Sequence, residues 1–365
     1  MRRLLTIVSL LVTIALSSAA QPEATWLEQK HDFGVFLEEN GKVHCSLRVV
    51  NTGNEPLLIV KAQAGCGCTG INYSESPIQP GDTSSVEISY NPSGRPGQFT
   101  KQVIIFTNTV IKRTVLEITG HVIPTDKTLD KQYPLKAGSL RISQHIIPFG
   151  EITKDDSRTL YLSAYNASTD TLIVSVTGEK THLKPAVVPD TVPPAKVVAI
   201  TVHYLSKYAP LWGFNADTIS VSCAPLRQPS SAQAGNADII VMAQVKERFD
   251  QLTDKQLQKA PVVSVDCGEQ ISLDISKKND VISRTFHITN KGKSELFIRR
   301  LWVPVDKGIT IKCNKQQLKP GKTATVTVRV DTSAFNEEVI NVPLTLLCND
   351  PNKPQTTIRL VGIIE

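Results

Sequence analysis

Short runs in which apolar and polar residues alternate recur along the chain, and three of these runs follow the same kind of turn. In each case a Pro-Gly or Pro-Ala turn precedes three apolar residues that stand six, eight and ten positions after the proline. These residues are Val86, Ile88 and Tyr90; Ile200, Val202 and Tyr204; and Val326, Val328 and Val330. A spacing of two places side chains on one face of a strand, so each run predicts a strand half-buried against a core.

Two further landmarks accompany these strands. An asparagine ends an apolar strand and is followed six residues on by an apolar triplet, which predicts a β-hairpin. A glycine also opens a strand in each copy. The asparagines are Asn51, Asn166 and Asn290, and the glycine landmarks are Phe33-Gly34, Phe149-Gly150 and Cys267-Gly268. Three landmarks in three copies indicate one folding unit repeated along the chain.

Units of this length with many short strands favour the immunoglobulin-like sandwich. The sequence therefore predicts an all-β chain of three tandem immunoglobulin-like β-sandwich domains after a signal peptide. We assign 1–20 to the signal peptide, 124–140 and 248–260 to linkers, and the domains to 21–123, 141–247 and 261–365. The second linker has the composition of one or two helical turns, and 224–236 predicts a hairpin loop.

The first twenty residues have the pattern of an export signal. Arg2 and Arg3 precede an apolar run from Leu4 to Leu16, and small residues follow up to Ala20. This order is typical of a signal peptide cleaved after Ala20, and the run is too short to span a bilayer. We therefore expect a periplasmic, secreted or cell-surface protein with no membrane span after cleavage.

Composition, charge and the lack of catalytic motifs argue against several classes of function. The formal net charge is +6, with acidic and basic residues interspersed, so nucleic acid is not an expected partner. The Gly321-Lys322-Thr323 triplet lacks the earlier glycine of a phosphate loop and precedes a strand. No nucleophile elbow or zinc-protease spacing is present, so the sequence favours a non-enzymatic protein.

The first copy carries the segments NTGNEPLLIVKAQAGCGCT, IQPGDTSSVEISYNPSG and ITGHV in this order. It resembles a bacterial family of secreted Ig-like domains of unknown function with a Gly-Cys-x-Cys-Thr loop, related to ASH and PapD-like sandwiches. The resemblance covers roughly 30–123, extends to the third copy through LKPG and LLCNDP, and is only an outline in the middle copy. It implies a fold and an exported location rather than an activity.

Seven cysteines cannot all pair within one chain. Three interpretations of the Cys66 and Cys68 loop stay open: a glycine-rich turn with packed thiols, a redox disulfide, or half of a Cu(I) or Zn(II) site. His44 and Cys45 are the nearby residues of ligand type. Strand alternation predicts that Cys45 faces the core and His44 the solvent.

The cysteines outside this loop are expected to pack in the sheets and not to act as ligands. Cys223 and Cys348 take the repeat position that Thr107 holds in the first copy, which favours a sheet position. A disulfide joining Cys267 to Cys313 or Cys348 stays open.

Three Asp-Thr-aliphatic triplets lie in the middle copy and resemble an O-glycosylation signal of some bacteria. They make Thr171, Thr191 and Thr218 candidate glycosylation sites.

The function that follows is an exported scaffold or protein-binding protein of the cell envelope. Sheet edges accept extended partner strands, and end loops contact surfaces, so the expected partners are other envelope or extracellular proteins. The alternative is a thiol-redox or copper- or zinc-handling protein that uses Cys66 and Cys68. No other cofactor is expected, and the oligomeric state is left open.

Overall fold

The computed structural model describes residues 20–227, 234–304 and 308–365, and most of its elements are strands. The predicted signal peptide, apart from Ala20, lies outside the described residues. Among the helices of the described part, none has the length and apolar character needed to span a membrane. The chain divides into two compact units, the first reaching Pro134 and including Tyr165–Thr169 and Pro193–Val197, the second comprising the rest.

Strands β1–β8 form the first sandwich. Their bounds are β1 Ala24–Trp26, β2 Lys30–Leu37, β3 Val43–Asn51, β4 Ile59–Ala64, β5 Thr69–Tyr73, β6 Thr83–Tyr90, β7 Gly97–Thr107 and β8 Arg113–Ile123. One sheet has the order β1-β3-β6-β5 and the other the order β2-β8-β7-β4. Val86 and Ile88 from one sheet and Ile105 and Leu116 from the other are buried in a single core.

Helix α1, Asp126–Gln132, lies in the segment that we expected to be a plain linker. The Glu38 carboxylate holds its start, because it accepts hydrogen bonds from the Thr125 backbone N–H (2.9 Å) and the Thr128 hydroxyl (2.8 Å). It also accepts one from the Gly94 N–H at 2.7 Å. Burial by itself would raise the pKa of Glu38. The hydrogen bonds to the carboxylate have the larger combined effect, so the pKa lies below its ordinary value.

Strands β9–β18 form the second sandwich. Their bounds are β9 Leu135–Ala137, β10 Leu140–Ile142, β11 Ile146–Thr153, β12 Ser157–Asn166, β13 Leu172–Thr177, β14 Leu183–Val188, β15 Thr191–Val192, β16 Val197–Leu205, β17 Gly213–Pro225 and β18 Gly235–Lys246. The sheets have the orders β14-β16-β12-β10-β9 and β11-β18-β17-β13-β15. Strand β9 lies within the segment that we expected to be a linker. The sequence did not predict this strand, because only two inward-facing residues alternate there.

The antiparallel pairing of β17 with β18 confirms the predicted hairpin at 224–236, whose tip lies outside the described residues. The second linker contains helix α2, Asp254–Leu257, as its composition predicted.

Strands β19–β27 form the third sandwich. Their bounds are β19 Val263–Val265, β20 Gln270–Ser276, β21 Val281–Asn290, β22 Leu296–Trp302, β23 Ile309–Cys313, β24 Gln317–Leu318, β25 Thr323–Asp331, β26 Val339–Cys348 and β27 Gln355–Ile364. The sheets have the orders β19-β21-β25-β23 and β20-β27-β26-β22-β24. Val86, Ile200 and Val326 are each fully buried in their own sandwich, which confirms the repeat. The chain is a tandem array of β-sandwiches.

A parallel pair joins an early strand of each sandwich to its last strand: β2 with β8, β11 with β18, and β20 with β27. Each early strand has a bulge at a residue with positive φ: Gly34 (68°), Gly150 (63°) and Asp274 (58°). The predicted landmark Cys267-Gly268 is therefore wrong, and Leu273-Asp274 takes that place. Aspartate tolerates the left-handed conformation better than most residues, so no glycine marks the bulge.

The landmark asparagines organise the hairpin turns from inside. Asn290 is fully buried, and its side-chain amide donates to the carbonyls of Ser294 and Leu318, both at 2.8 Å. Its side-chain oxygen accepts from the N–H groups of Gly292 (2.9 Å) and Val262 (3.4 Å). Asn51 makes the equivalent four hydrogen bonds in the first sandwich. One side chain thus satisfies four backbone groups of neighbouring segments.

Candidate functional site

The Cys66 and Cys68 loop connects β4 to β5 and so passes from one sheet of the first sandwich to the other. The two cysteines form a disulfide. Cys68 belongs to the core, and only 6% of its surface is exposed. Cys66 is partly buried and packs against the same core. The Thr69 hydroxyl lies 3.6 Å from the Cys66 sulfur and 3.8 Å from that of Cys68. The structure thus shows the disulfide, and a redox role for it stays a prediction.

Among the residues that the structure describes, the other five cysteines form no disulfide, so the bridge from Cys267 to Cys313 or Cys348 is absent. Burial raises the pKa of Cys45 and of Cys348 to about 11, and it also raises the pKa of Cys267 and Cys313. Thiols with raised pKa values hold little thiolate near neutral pH and react slowly.

Thr107, Cys223 and Cys348 are all buried and pair with the matching residues Ile59, Val174 and Ile298, which confirms them as one sheet position. Cys45 is buried and His44 is exposed, as alternation predicted, so they lie on opposite faces of β3. Within the ranges that the structure describes, no three His, Cys, Asp or Glu side chains gather closely enough to hold a metal ion. The two loop sulfurs alone supply two of four tetrahedral ligands.

Strand β5, which follows the disulfide, is an edge of its sheet, with β6 as its neighbour. The Asn91 N–H donates to the Cys68 carbonyl at 2.9 Å. Because hydrogen-bonded pairs alternate along antiparallel strands, Gly70 and Asn72 direct their backbone groups towards β6. Ile71 and Tyr73 therefore direct theirs towards the open side, where an incoming strand would pair.

Each sandwich has an equivalent edge strand: β5, β14 and β23. They are equivalent because Ile71, Pro185 and Ile311 pair with Ile88, Val202 and Val328, which are matching positions of the repeat. Proline has no N–H to offer and lysine discourages edge pairing. Strand β14 has Lys184 and Pro185, and β23 has Lys312 where β5 has Asn72. Strand β5 contains neither proline nor charge, so it is the unprotected member of the three.

A shallow groove of about 400 Å³ lies across the face of β3, β6 and β5. Gly70 forms part of it, and a Cβ there would lie 2.5 Å from the Ser89 hydroxyl oxygen. His44, Asn72 and Glu87 also line it. At β5 the groove thus ends at a residue without a side chain.

Comparison with protein families gives a match in two parts of the chain. The sequence profile described as "Protein of unknown function (DUF1573)" matches residues 24–122 and 267–364, which together exceed half of the chain. The chain belongs to the DUF1573 family. This confirms the resemblance to a family of unknown function. No curated protein sequence matches the chain.

Solved structures similar to this DUF1573 protein include a protein of unknown function from Porphyromonas gingivalis, at 16% identity and a TM-score of 0.45, covering 62% of this chain and 100% of that one. An ASH/PapD-like domain of human CEP192 is similar at 14% identity and a TM-score of 0.26, covering 32% and 93%. The YadV chaperone is similar at 11% identity and a TM-score of 0.25, covering 61% and 100%.

The two DUF1573 segments coincide with the first and third sandwiches, and the middle sandwich is not part of the match. The disulfide loop and β5 both lie in the first segment. The second segment, in the third sandwich, has no counterpart of the Cys-x-Cys pair. The pair and the unprotected edge therefore belong to one copy of the domain.

The three candidate glycosylation threonines differ in their surroundings. Thr191 and Thr218 are exposed, and Thr171 is partly buried. The Thr191 hydroxyl donates to Asp190 at 3.0 Å. Glycosylation at these residues stays a prediction.

Next to Thr218 the structure shows a buried polar cluster that the sequence did not predict. The Asp217 carboxylate lies 2.9 Å from His182 Nε2 and also accepts a hydrogen bond from Lys180. Burial raises the pKa of Asp217, but the hydrogen bonds and charges of Lys180 and His182 outweigh it and lower that pKa. His182 and Asp217 are both buried, whereas Lys180 is partly exposed, and the cluster joins β17 to the segment before β14.

Proposed function

We propose that this DUF1573 protein is a non-enzymatic binding or scaffold protein, exported to the periplasm or cell surface, that holds extended segments of partner proteins on strand β5. The observation that carries the proposal is the unprotected edge: β5 offers the backbone groups of Ile71 and Tyr73 without proline or charge. Main-chain hydrogen bonds would supply the affinity, and the groove at Gly70 the side-chain selectivity. The expected partners are other envelope or extracellular proteins, and no cofactor is needed.

The Ile71→Pro variant tests this directly. Proline removes the N–H that points to the open side but leaves the pairing of Gly70 and Asn72 with β6, and it reproduces the residue of the middle sandwich. We expect the amount of partner co-purified from the envelope fraction to fall at least about tenfold, because a pairing hydrogen bond is lost and the ring obstructs the edge. In the unchanged protein, partner binding should slow hydrogen exchange at the Tyr73 amide.

The matched control is Ile311→Pro, which makes the same change at the equivalent position of β23. It should bind partner as the unchanged protein does. Recovery of no partner at all, or equal losses in both variants, would contradict strand addition on β5.

The disulfide favours a second candidate, thiol exchange with a dithiol partner. A partner thiolate would attack the more exposed Cys66 sulfur, break the bond to Cys68 and form a mixed disulfide. A second partner thiol would then displace Cys66, leaving two cysteine thiols here and an oxidised partner. The reduced pair would supply two of the ligands that Cu(I) or Zn(II) takes.

Thiol labelling checks this candidate. Under mild reduction of the folded protein, we expect labelling by a maleimide to rise by two groups per chain, with Cys66 labelled first because Cys68 is buried. A variant with Cys66→Ser and Cys68→Ser should show no such rise. If mild reductant adds no label to the folded protein, or if the double variant gains the same label, thiol exchange at this loop is excluded.

A further inference from the structure

Two turns meet at one end of the third sandwich. The Gly321 N–H donates to the Asn290 carbonyl at 2.8 Å, and the Asn290 N–H donates to the Lys322 carbonyl at 3.0 Å. Each turn carries two lysines, and Lys291, Lys293, Lys319 and Lys322 are all exposed. Within the described part of the chain, no carboxylate forms an ion pair with any of these four lysines. We call this surface, defined by these four residues, the basic end.

The fold does not require these lysines. The same turns of the first sandwich make the same hydrogen bonds, from Gly81 N–H to Asn51 and from Asn51 N–H to Asp82. In that copy the four positions are occupied by Thr52, Asn54, Gln79 and Asp82. One copy thus carries four positive charges where the other carries a single negative charge, so the difference concerns the surface and not the core.

Apolar side chains lie next to the basic end. The N–H groups of Lys291 and Lys293 donate to the carbonyls of Val262 (2.8 Å) and Ala260 (3.2 Å), which places the end of the linker against the turn. Val262 is 42% exposed and Leu257 of α2 is 39% exposed.

A groove of about 460 Å³ continues from there. Phe249, Leu252, Pro261 and Pro351 line it, together with the exposed Lys255 and Lys259.

Among the described residues, the carboxylates near this end form no ion pair with the four lysines, and Glu247, which lines the groove, is paired with Arg299 at 2.8 Å. Asp350 is buried, and it accepts hydrogen bonds from the N–H groups of Val263 (2.8 Å) and Asn352 (2.9 Å). Glu295 is half-buried, and Lys353 adds a further exposed charge. The surface is therefore a net positive area with an apolar groove beside it.

We propose that the basic end binds the surface of an anionic phospholipid bilayer. Lysine ammonium groups are compact, hydrated charges on flexible stems, and they suit a diffuse layer of phosphates better than one fixed ligand. Reversible attachment to a bilayer takes electrostatic attraction together with buried apolar area, and both are present within one surface. The proposal does not depend on strand β5, which lies in another sandwich.

Vesicle sedimentation of the full chain tests the proposal. We expect binding to vesicles of phosphatidylcholine with phosphatidylglycerol, little binding to phosphatidylcholine alone, and release at high salt, where charges are screened. Changing Lys291, Lys293, Lys319 and Lys322 to glutamine should lower the partition coefficient at least about 100-fold, because each lysine near an anionic surface contributes roughly fivefold.

The matched control changes the exposed Lys42, Lys61, Lys112 and Lys127 of the first unit to glutamine, which alters the net charge equally. It should retain vesicle binding within a few fold. Equal losses in both quadruple variants, or equal binding to both kinds of vesicle, would overturn the proposal. Binding to soluble dextran sulfate without vesicle binding would assign the surface to a polyanion instead.

Discussion

Replacing Asn290 with alanine is expected to lower the free energy of unfolding of the third sandwich by about 4 kcal/mol, from four lost hydrogen bonds of about 1 kcal/mol each. The side chain is fully buried and satisfies two carbonyls and two N–H groups, and alanine can satisfy none of them. Native-state hydrogen exchange at the amides of β21 and β25 measures the loss for this sandwich separately.

Asn352→Ala provides the control, since that side chain is exposed in the same sandwich and makes no hydrogen bond with another described residue. Its effect should stay within about 0.5 kcal/mol. Asn51→Ala should destabilise the first sandwich as Asn290→Ala does the third. A loss below about 1 kcal/mol for Asn290→Ala would show that water replaces the missing amide.

Asp217→Ala is expected to lower the free energy of unfolding of the second sandwich by about 3–5 kcal/mol, because it removes the hydrogen bonds that Lys180 and His182 make with a buried carboxylate, each contributing roughly 1.5–3 kcal/mol. His182 is buried and would keep an unsatisfied ring nitrogen, while the exposed part of Lys180 would regain water. Chemical denaturation followed by hydrogen exchange at β16 and β17 measures the change.

The pH dependence follows from the lowered pKa of Asp217. A carboxyl with a lower pKa in the folded than in the unfolded state stabilises fully above its unfolded pKa, near 4, and loses this contribution as the pH falls through the folded pKa. The difference in stability between the unchanged protein and Asp217→Ala should therefore shrink below about pH 4.

Tyr204→Phe is the control for this cluster. Burial raises the pKa of Tyr204 to about 12, and its hydroxyl has no hydrogen-bond partner among the described residues. Removing that hydroxyl should leave the stability unchanged or increase it. A loss as large as that of Asp217→Ala would mean that the hydroxyl belongs to the cluster and that the contact between Asp217 and His182 is not the main contribution.

The repeat could be predicted from the sequence because its landmarks are local. The Asn290 turn and the strand after Pro320 are each set by residues a few positions apart, and the structure confirms both in all copies. The glycine landmark failed in the third copy because Asp274 takes the bulge. Aspartate adopts positive φ without leaving a glycine in the sequence, and Gly268, six residues earlier, was mistaken for it.

The candidate site was predicted in part. The Cys66 and Cys68 loop stood out by its spacing, but its state was left open because spacing alone does not decide between thiols, metal and disulfide. The sequence predicted that sheet edges bind partners, but it did not indicate that β5 is the unprotected edge. Pro185 and Lys312 are visible in the sequence, yet their equivalence to Ile71 and Asn72 depends on strand register.

The contact between His182 and Asp217 had no sequence signal. Asp217 stands out only as the first residue of an Asp-Thr-aliphatic triplet, His182 belongs to no motif, and the two come together only through the fold. Contacts of this kind depend on how β17 lies beside the segment before β14, which periodicity along a single strand does not determine.

The parallel pairing of an early strand with the last strand has a mechanical consequence. In β20 and β27, for example, the two chain ends leave the pair in opposite directions, so tension along the polypeptide loads all of its hydrogen bonds at once, in shear, and does not unzip them in turn. The same holds for β2 with β8 and for β11 with β18. A chain of such units anchored at both ends would resist stretching.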